Sequence, residues 1–149
     1  MSPETIFSIC SKLVLPGWLL LIFLPRWKWT ARFIAACALP LALAVVYVFL
    51  VATNFGHSEG GFGSLAEVSQ LFRNPNNLLA GWIHYLAFDL FIGAWEVRDA
   101  QRTGVHHLLV VPCLVLTFIF GPAGLLLYFL LRFIVGRKFT VEECEHGRA

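Results

Sequence analysis

Four apolar stretches divide the chain, at about 5–24, 33–53, 78–97 and 108–131. Each is close to the roughly 20 residues that an α-helix needs to cross a bilayer. They predict an all-α protein, an integral membrane bundle of four transmembrane helices in one membrane domain over residues 1–149, with a polar tail at 137–149. The first stretch carries Lys12 and Pro16 and stops at Pro25-Arg26; the second has no charge after Arg32. Between the second and third, Gly56, Gly60, Gly61 and Gly63 open a loop. Ser64-Leu65-Ala66-Glu67 then reads as a capping box ahead of Val68, Leu71 and Phe72, so a short interfacial helix is expected, ended near Asn74-Pro75.

The third stretch is unlike the others because His84, Asp89 and Glu96 interrupt it. A charge near the bilayer centre costs roughly 2.5–3.5 kcal/mol on insertion scales, so such residues turn toward a bundle interior and a partner. At about 100° per residue, with His84 at the origin, Asp89 falls near ~140°, Glu96 near ~120°, Asp99 near ~60° and Arg102 near the origin again. All the ionisable groups except Arg98 therefore share one side. A last helix returning antiparallel from a turn near Thr103-Gly104 sets Glu96 and Asp99 beside His106 and His107, Asp89 opposite Cys113 to Thr117, and His84 opposite Gly121-Pro122. In that helix His106, Cys113, Thr117, Gly121 and Tyr128 lie within about 80° of one another. Gly121-Pro122-Ala123-Gly124 implies a kink and a close approach of helices.

Composition supports the membrane reading. The 149 residues are 58% hydrophobic and 13% charged, with a mean hydropathy of +0.75, too little polar surface for a monodisperse soluble domain. A net charge of +2, scattered beside apolar segments, contains no nucleic-acid tract. Arg26-Trp27-Lys28-Trp29 suits a headgroup-level anchor. Basic residues in the short loops 25–32 and 98–107 place both loops in the cytoplasm and both termini on the non-cytoplasmic side, although Arg132, Arg137 and Lys138 argue the other way. Glu4, without a basic region before the first stretch, reads as part of a retained helix and not of a signal peptide. Cys10, Cys37, Cys113 and Cys144 form no C-x-x-C pair, which removes zinc-ribbon, thioredoxin-like and c-type haem readings.

For chemistry, Asp89 at mid-depth is a candidate acid or base, with His84 to orient it or relay a proton. The competing reading is that Asp89 hydrogen-bonds across two helices and only joins them. Glu96, Arg98, Asp99 and Arg102 read as an interfacial charge network. His84, Asp89, Asp99 and His106 supply metal-ligand types, but no H-E-x-x-H or E-x-x-H spacing occurs, so a metal site is the less favoured alternative. No G-x-S-x-G and no phosphate-cradling glycine loop is present. No cofactor is expected.

The run Gly81-Trp82-Ile83-His84-Tyr85-Leu86-Ala87-Phe88-Asp89-Leu90-Phe91, with Arg98-Asp99-Ala100, His106 to Pro112 and Phe120-Gly121-Pro122-Ala123-Gly124, resembles the abscisic-acid-deficient-four-like family. Plant members of that family are associated with neoxanthin synthesis from violaxanthin in plastid membranes. The resemblance covers roughly residues 5–135 in layout. Trp82, His84, Asp89 and Asp99 match the family's pattern; Glu96 stands outside it. The plant members have a different small-residue and proline context at Gly121-Pro122, and no transit peptide is expected at the start of this chain, so it resembles a bacterial relative in the inner membrane. The resemblance implies a membrane-embedded enzyme of carotenoid or isoprenoid metabolism performing a redox-neutral, isomerase-like conversion of a long apolar molecule. Asp89 and His84 would be catalytic, with Trp82, Asp99, His106, Thr117, Gly121 and Pro122 supporting or binding the substrate. The alternatives are a non-catalytic pigment-binding or scaffolding protein, alone, as a homodimer or beside a partner membrane enzyme, and a small metal-dependent membrane enzyme.

Overall fold

A computed structural model describes residues 1–54 and 59–136, and every regular element among them is helical. The elements are α1 (Pro3–Phe23), α2 (Thr30–Asn54), α3 (Leu65–Leu71), α4 (Pro75–Thr103), α5 (His107–Phe120) and α6 (Pro122–Gly136). The glycine at 56, the tail at 137–149 and its Arg137, Lys138 and Cys144 lie outside the described residues.

The helix ends follow local chemistry. Ser2 Oγ accepts from Thr5 N at the start of α1, and Asn74 Oδ1 accepts from Asn76 N at the start of α4. Each is followed by a proline at the first helical position, where the missing N–H costs nothing. The capping signature in the loop is α3: Ser64 Oγ accepts from Glu67 N at 3.2 Å. Glu67 Oε2 closes back onto Gly63 N at 3.0 Å, one residue earlier than the usual box. α2 opens as a π-helix over Thr30–Ala38 before becoming α-helical at Leu39–Asn54, a change of winding that periodicity did not reveal.

α4 is the central helix, packed against α1, α2, α5 and α6. Its 29 residues extend about 43 Å. Ile83, Leu90, Ala94 and Val97 are buried in one core with Trp18 and Leu21 of α1, Leu43 of α2 and Leu114 of α5. Gly93 makes room for Trp18: a Cβ there would sit 2.8 Å from the indole ring. The outer faces are apolar, with Leu41, Val45, Val48 and Phe49 of α2 exposed. That is an ordinary surface toward lipid and an aggregating one in water.

Three helices are long and apolar enough to cross a membrane, α1, α2 and α4. The fourth expected span, 108–131, is broken at Gly121 into α5 and α6. These do not form one kinked crossing. Glu96 meets Thr117, and Asp89 meets Gly121 at the corner, so α5 runs antiparallel to α4 as far as its middle. Beyond the corner Tyr128 packs on Trp95, and Tyr128 and Arg132 both bond to Asp99. A helix continuing straight on would have carried Tyr128 past Asp89 toward Trp82. α6 therefore returns along the path of α5, and the two form a re-entrant hairpin. Each limb is only about 21–23 Å long, short of the ~30 Å hydrocarbon thickness.

One sequence expectation changes with this fold. The α4–α5 register lies about one turn from the expected one, Asp89 facing Gly121 where Cys113 to Thr117 was anticipated. The cause is the tight corner in which Gly104, at φ 77°, ends α4 and His106 already caps α5. Because α5 and α6 double back, residue 1 and Gly136 lie at opposite ends of the bundle. Arg26, Lys28, Arg32, Arg98, Arg102 and Arg132 all fall in the same half.

Candidate functional site

The polar face of α4 divides into two groups with different environments. Nearer its C-terminal end, Asp99 is 3% exposed and both carboxylate oxygens are used. Arg102 Nη2 donates to Oδ1 at 2.6 Å, while Tyr128 Oη and Arg132 Nε donate to Oδ2, each at 2.7 Å. Arg132 is itself 1% exposed. Charge-assisted bonds of this length are strong, and a buried carboxylate with two guanidinium partners is a clasp that holds α6 against α4. The expected interfacial network is thus partly different: Arg98 turns away and donates through Nη1 to the Ala31 carbonyl in the π-helical turn of α2.

At mid-depth the arrangement is the reverse. Glu96 is 0% exposed; Thr117 Oγ1 donates to its Oε1 at 3.0 Å, while Oε2 is buried without a hydrogen-bond partner. Asp89, two turns earlier on the same face, has a buried Oδ2 that also lacks a partner. Its carboxylate faces Gly121, where a Cβ would stand 3.0 and 3.1 Å from the two oxygens. Gly121 has φ 49°, a left-handed conformation that glycine adopts without strain, and Pro122 opens α6 immediately after it. Gly124 seats α6 directly on the backbone of α5 beside Thr117. The four-residue glycine-proline run therefore shapes a corner whose opening end is filled by a carboxylate.

A lateral cleft reaches Tyr85, the neighbour of Asp89. Along the α1–α4 seam lie two clefts of about 360 and 650 Å³ that share Phe7 and Trp82 as walls. Trp82 Nε1 donates to Ser11 Oγ at 3.0 Å, and its ring packs on Phe7 and stacks on Tyr85. The larger cleft ends at Tyr85 and Phe118, where Tyr85 Oη donates to the Phe118 carbonyl at 3.1 Å. Tyr85 is one turn before Asp89 and stands beside its carboxyl. Lys12 lines the same cleft from α1.

The remaining expected site residues are elsewhere. His84 is exposed, stacked on Phe88 with ring centroids 4.4 Å apart and packed on Tyr47 of α2. It lies on a different side of α4 from Asp89 and makes no pair with it. His106 caps α5 at the end of the bundle, far from mid-depth. His84, Asp89, Asp99 and His106 thus occupy different depths and faces, and the alternative metal set does not assemble. Among the described residues no group of three or more His, Cys, Asp or Glu side chains gathers to hold a metal ion. Sequence reasoning missed Tyr85, four residues from Asp89 and therefore on its face, and Arg132, which reads in sequence as a flanking charge.

No solved structure matches this chain. A curated relative, "Protein ABA DEFICIENT 4, chloroplastic" of Arabidopsis thaliana, is 22% identical over 144 residues, covering 91% of this chain and 64% of its own length. The chain therefore spans less than two thirds of that relative, and a relative described as chloroplastic lends no support to a bacterial inner membrane. The family model described as ABA DEFICIENT 4-like matches residues 5–128, from the first helix through the hairpin to Tyr128. That match covers most of the sequence, and the chain belongs to the ABA DEFICIENT 4-like family.

Proposed function

We propose that the chain is a membrane-embedded isomerase of carotenoid metabolism that opens a 5,6-epoxide ring end to an allene. The observation that carries this reading is the buried, unpartnered oxygen of Asp89 beside Tyr85, whose ring forms part of the wall of an aromatic cleft between α1 and α4. The family resemblance supplies the substrate class, and the length of a carotenoid, about the ~30 Å of the hydrocarbon core, suits a molecule lying along α1 and α4.

The conversion needs no electron carrier. The ring-opening C–O bond breaks as the oxygen gains a proton, the neighbouring polyene carbon loses one, and the electron pair of that C–H bond forms the new double bond of the allene. Substrate and product are isomers. Tyr85 Oη, released from the Phe118 carbonyl, delivers the proton to the epoxide oxygen. The Asp89 carboxylate takes the proton from carbon and afterwards returns it to the tyrosinate, which restores both groups. Acid–base pairs of this kind typically contribute 10²–10⁴-fold each. The pair replaces the His84–Asp89 partnership expected from sequence, because His84 faces away from the cleft.

The test is pigment profiling in a host that accumulates an epoxy-carotenoid such as violaxanthin. The parent chain is expected to yield an isomeric product, lost in Asp89→Asn and Tyr85→Phe while both variants still insert, and retained in His84→Ala. Identical profiles with and without the parent chain would remove the enzymatic reading; loss in His84→Ala alone would return the chemistry to that histidine.

A further inference from the structure

The largest of the described clefts lies away from Asp89, at the end of the bundle where the basic residues collect. It measures about 940 Å³ and is bounded by the turn after α1 on one side and the α4–α5 corner on the other. Its floor is apolar, from Val97, Ala100 and Val105, all buried. Its rim carries Arg26, His106 and Trp27, all exposed. Two hydrogen bonds join its walls, Gln101 Nε2 to the Pro25 carbonyl at 2.6 Å and His107 Nε2 with the Ile22 carbonyl at 2.9 Å. The cleft is thus held open by the fold and needs no rearrangement to be filled.

Its charge is one-sided. No Asp or Glu lines it, and Asp99, the carboxylate nearest the C-terminal end of α4, is already matched by Arg102 and Arg132. Lys28 and Arg32 add to the same end of the bundle. A rim with the Arg26 guanidinium and the His106 imidazole over an apolar floor, beside the Arg26-Trp27-Lys28-Trp29 anchor, complements an amphiphile with an anionic head and a hydrocarbon tail. Basic pockets between membrane helices recognise lipid phosphates on this basis. Phe23, Leu24 and Leu108 extend the apolar wall toward the bilayer, where an acyl chain would run.

We infer that this cleft is a binding site for the phosphate headgroup of an anionic phospholipid, with Arg26 and His106 as its recognition residues. The site is independent of the chemistry proposed at Asp89. It ties the loop after α1 to the corner from which the hairpin departs.

The test is native mass spectrometry of the full chain released from nanodiscs made of phosphatidylcholine with phosphatidylglycerol. One retained phosphatidylglycerol per chain is expected, with phosphatidylcholine lost. The Arg26→Gln/His106→Gln variant should retain the anionic lipid roughly 5- to 30-fold less, and Arg26→Lys should keep most of it. Unchanged helicity by circular dichroism separates lost recognition from lost folding. Equal retention by parent and double variant, or equal retention of phosphatidylcholine, overturns the site. Displacement of the lipid by millimolar glycerol phosphate overturns the lipid assignment in favour of a soluble phosphoester.

Discussion

Gly124→Ala tests the hairpin most directly. A Cβ at this position would lie 2.1 Å from both the backbone N and Oγ1 of Thr117 and 2.5 Å from the Cys113 carbonyl oxygen, against an ordinary contact of 3.4 Å or more. Two of those atoms are backbone and cannot rotate away, so α5 and α6 must part by about 1.3 Å. Overpacking of this kind costs about 1–3 kcal/mol, occasionally more. Moving Thr117 also threatens its bond to the buried Glu96, worth about a further 1–3 kcal/mol when a buried acceptor is left alone. The combined loss of about 2–6 kcal/mol corresponds to a Tm lowered by roughly 4–24 °C on the slope for a chain of this size. The assay is thermal unfolding in detergent followed by tryptophan fluorescence, with Gly104→Ala as comparison. At Gly104 nothing lies within 4 Å, and only the left-handed backbone is penalised, by about 1–2 kcal/mol. A Gly124→Ala protein as stable as the parent, or more stable than Gly104→Ala, would refute the close α5–α6 contact.

The crossing number can be read with single cysteines in a cysteine-free background and an impermeant maleimide applied to oriented vesicles. Gly104→Cys and Gly136→Cys should label from one side and Ser2→Cys from the other; a shared side for positions 2 and 136 would restore four crossings. Arg132→Leu leaves the buried Asp99 with one guanidinium fewer and should cost about 3 kcal/mol. Asp99→Asn combined with Arg132→Leu should recover most of that in the same unfolding assay, and a single variant with the parent's Tm would show that the clasp contributes nothing.

Much of the architecture was legible because length and hydropathy alone locate long lipid-facing helices. The capping residues Ser64 and Glu67 marked α3, and the polar face of α4 was readable from angular spacing. What hydropathy could not register is direction. His107 to Gly136 is as apolar as a crossing, and only contacts distant in sequence, Tyr128 and Arg132 to Asp99, reveal that it turns back. The apparent conflict in basic-residue placement had the same origin: Arg132 opposed the other loops only while the last segment was taken to cross. At the site, the wheel put His84 and Asp89 within one broad polar face, but ~140° is wide enough to separate a lipid-exposed ring from a buried carboxylate. The π-helical turn of α2 left no trace in the pattern, since Thr30–Ala38 has small residues on several sides.

The clasp at Asp99 has a consequence for how the molecule is made. During synthesis, an apolar segment of thirty residues after α4 can meet the bilayer in either of two ways, by passing through or by doubling back, and its own hydrophobicity favours neither decisively. The choice falls to a carboxylate already embedded in α4, which captures a phenol and a guanidinium only if the chain returns to the side it came from. The contacts of a single buried anion thus distinguish the doubled-back arrangement from a straight passage, and a substitution there is expected to raise the share of chains in which residue 136 emerges on the side of residue 2.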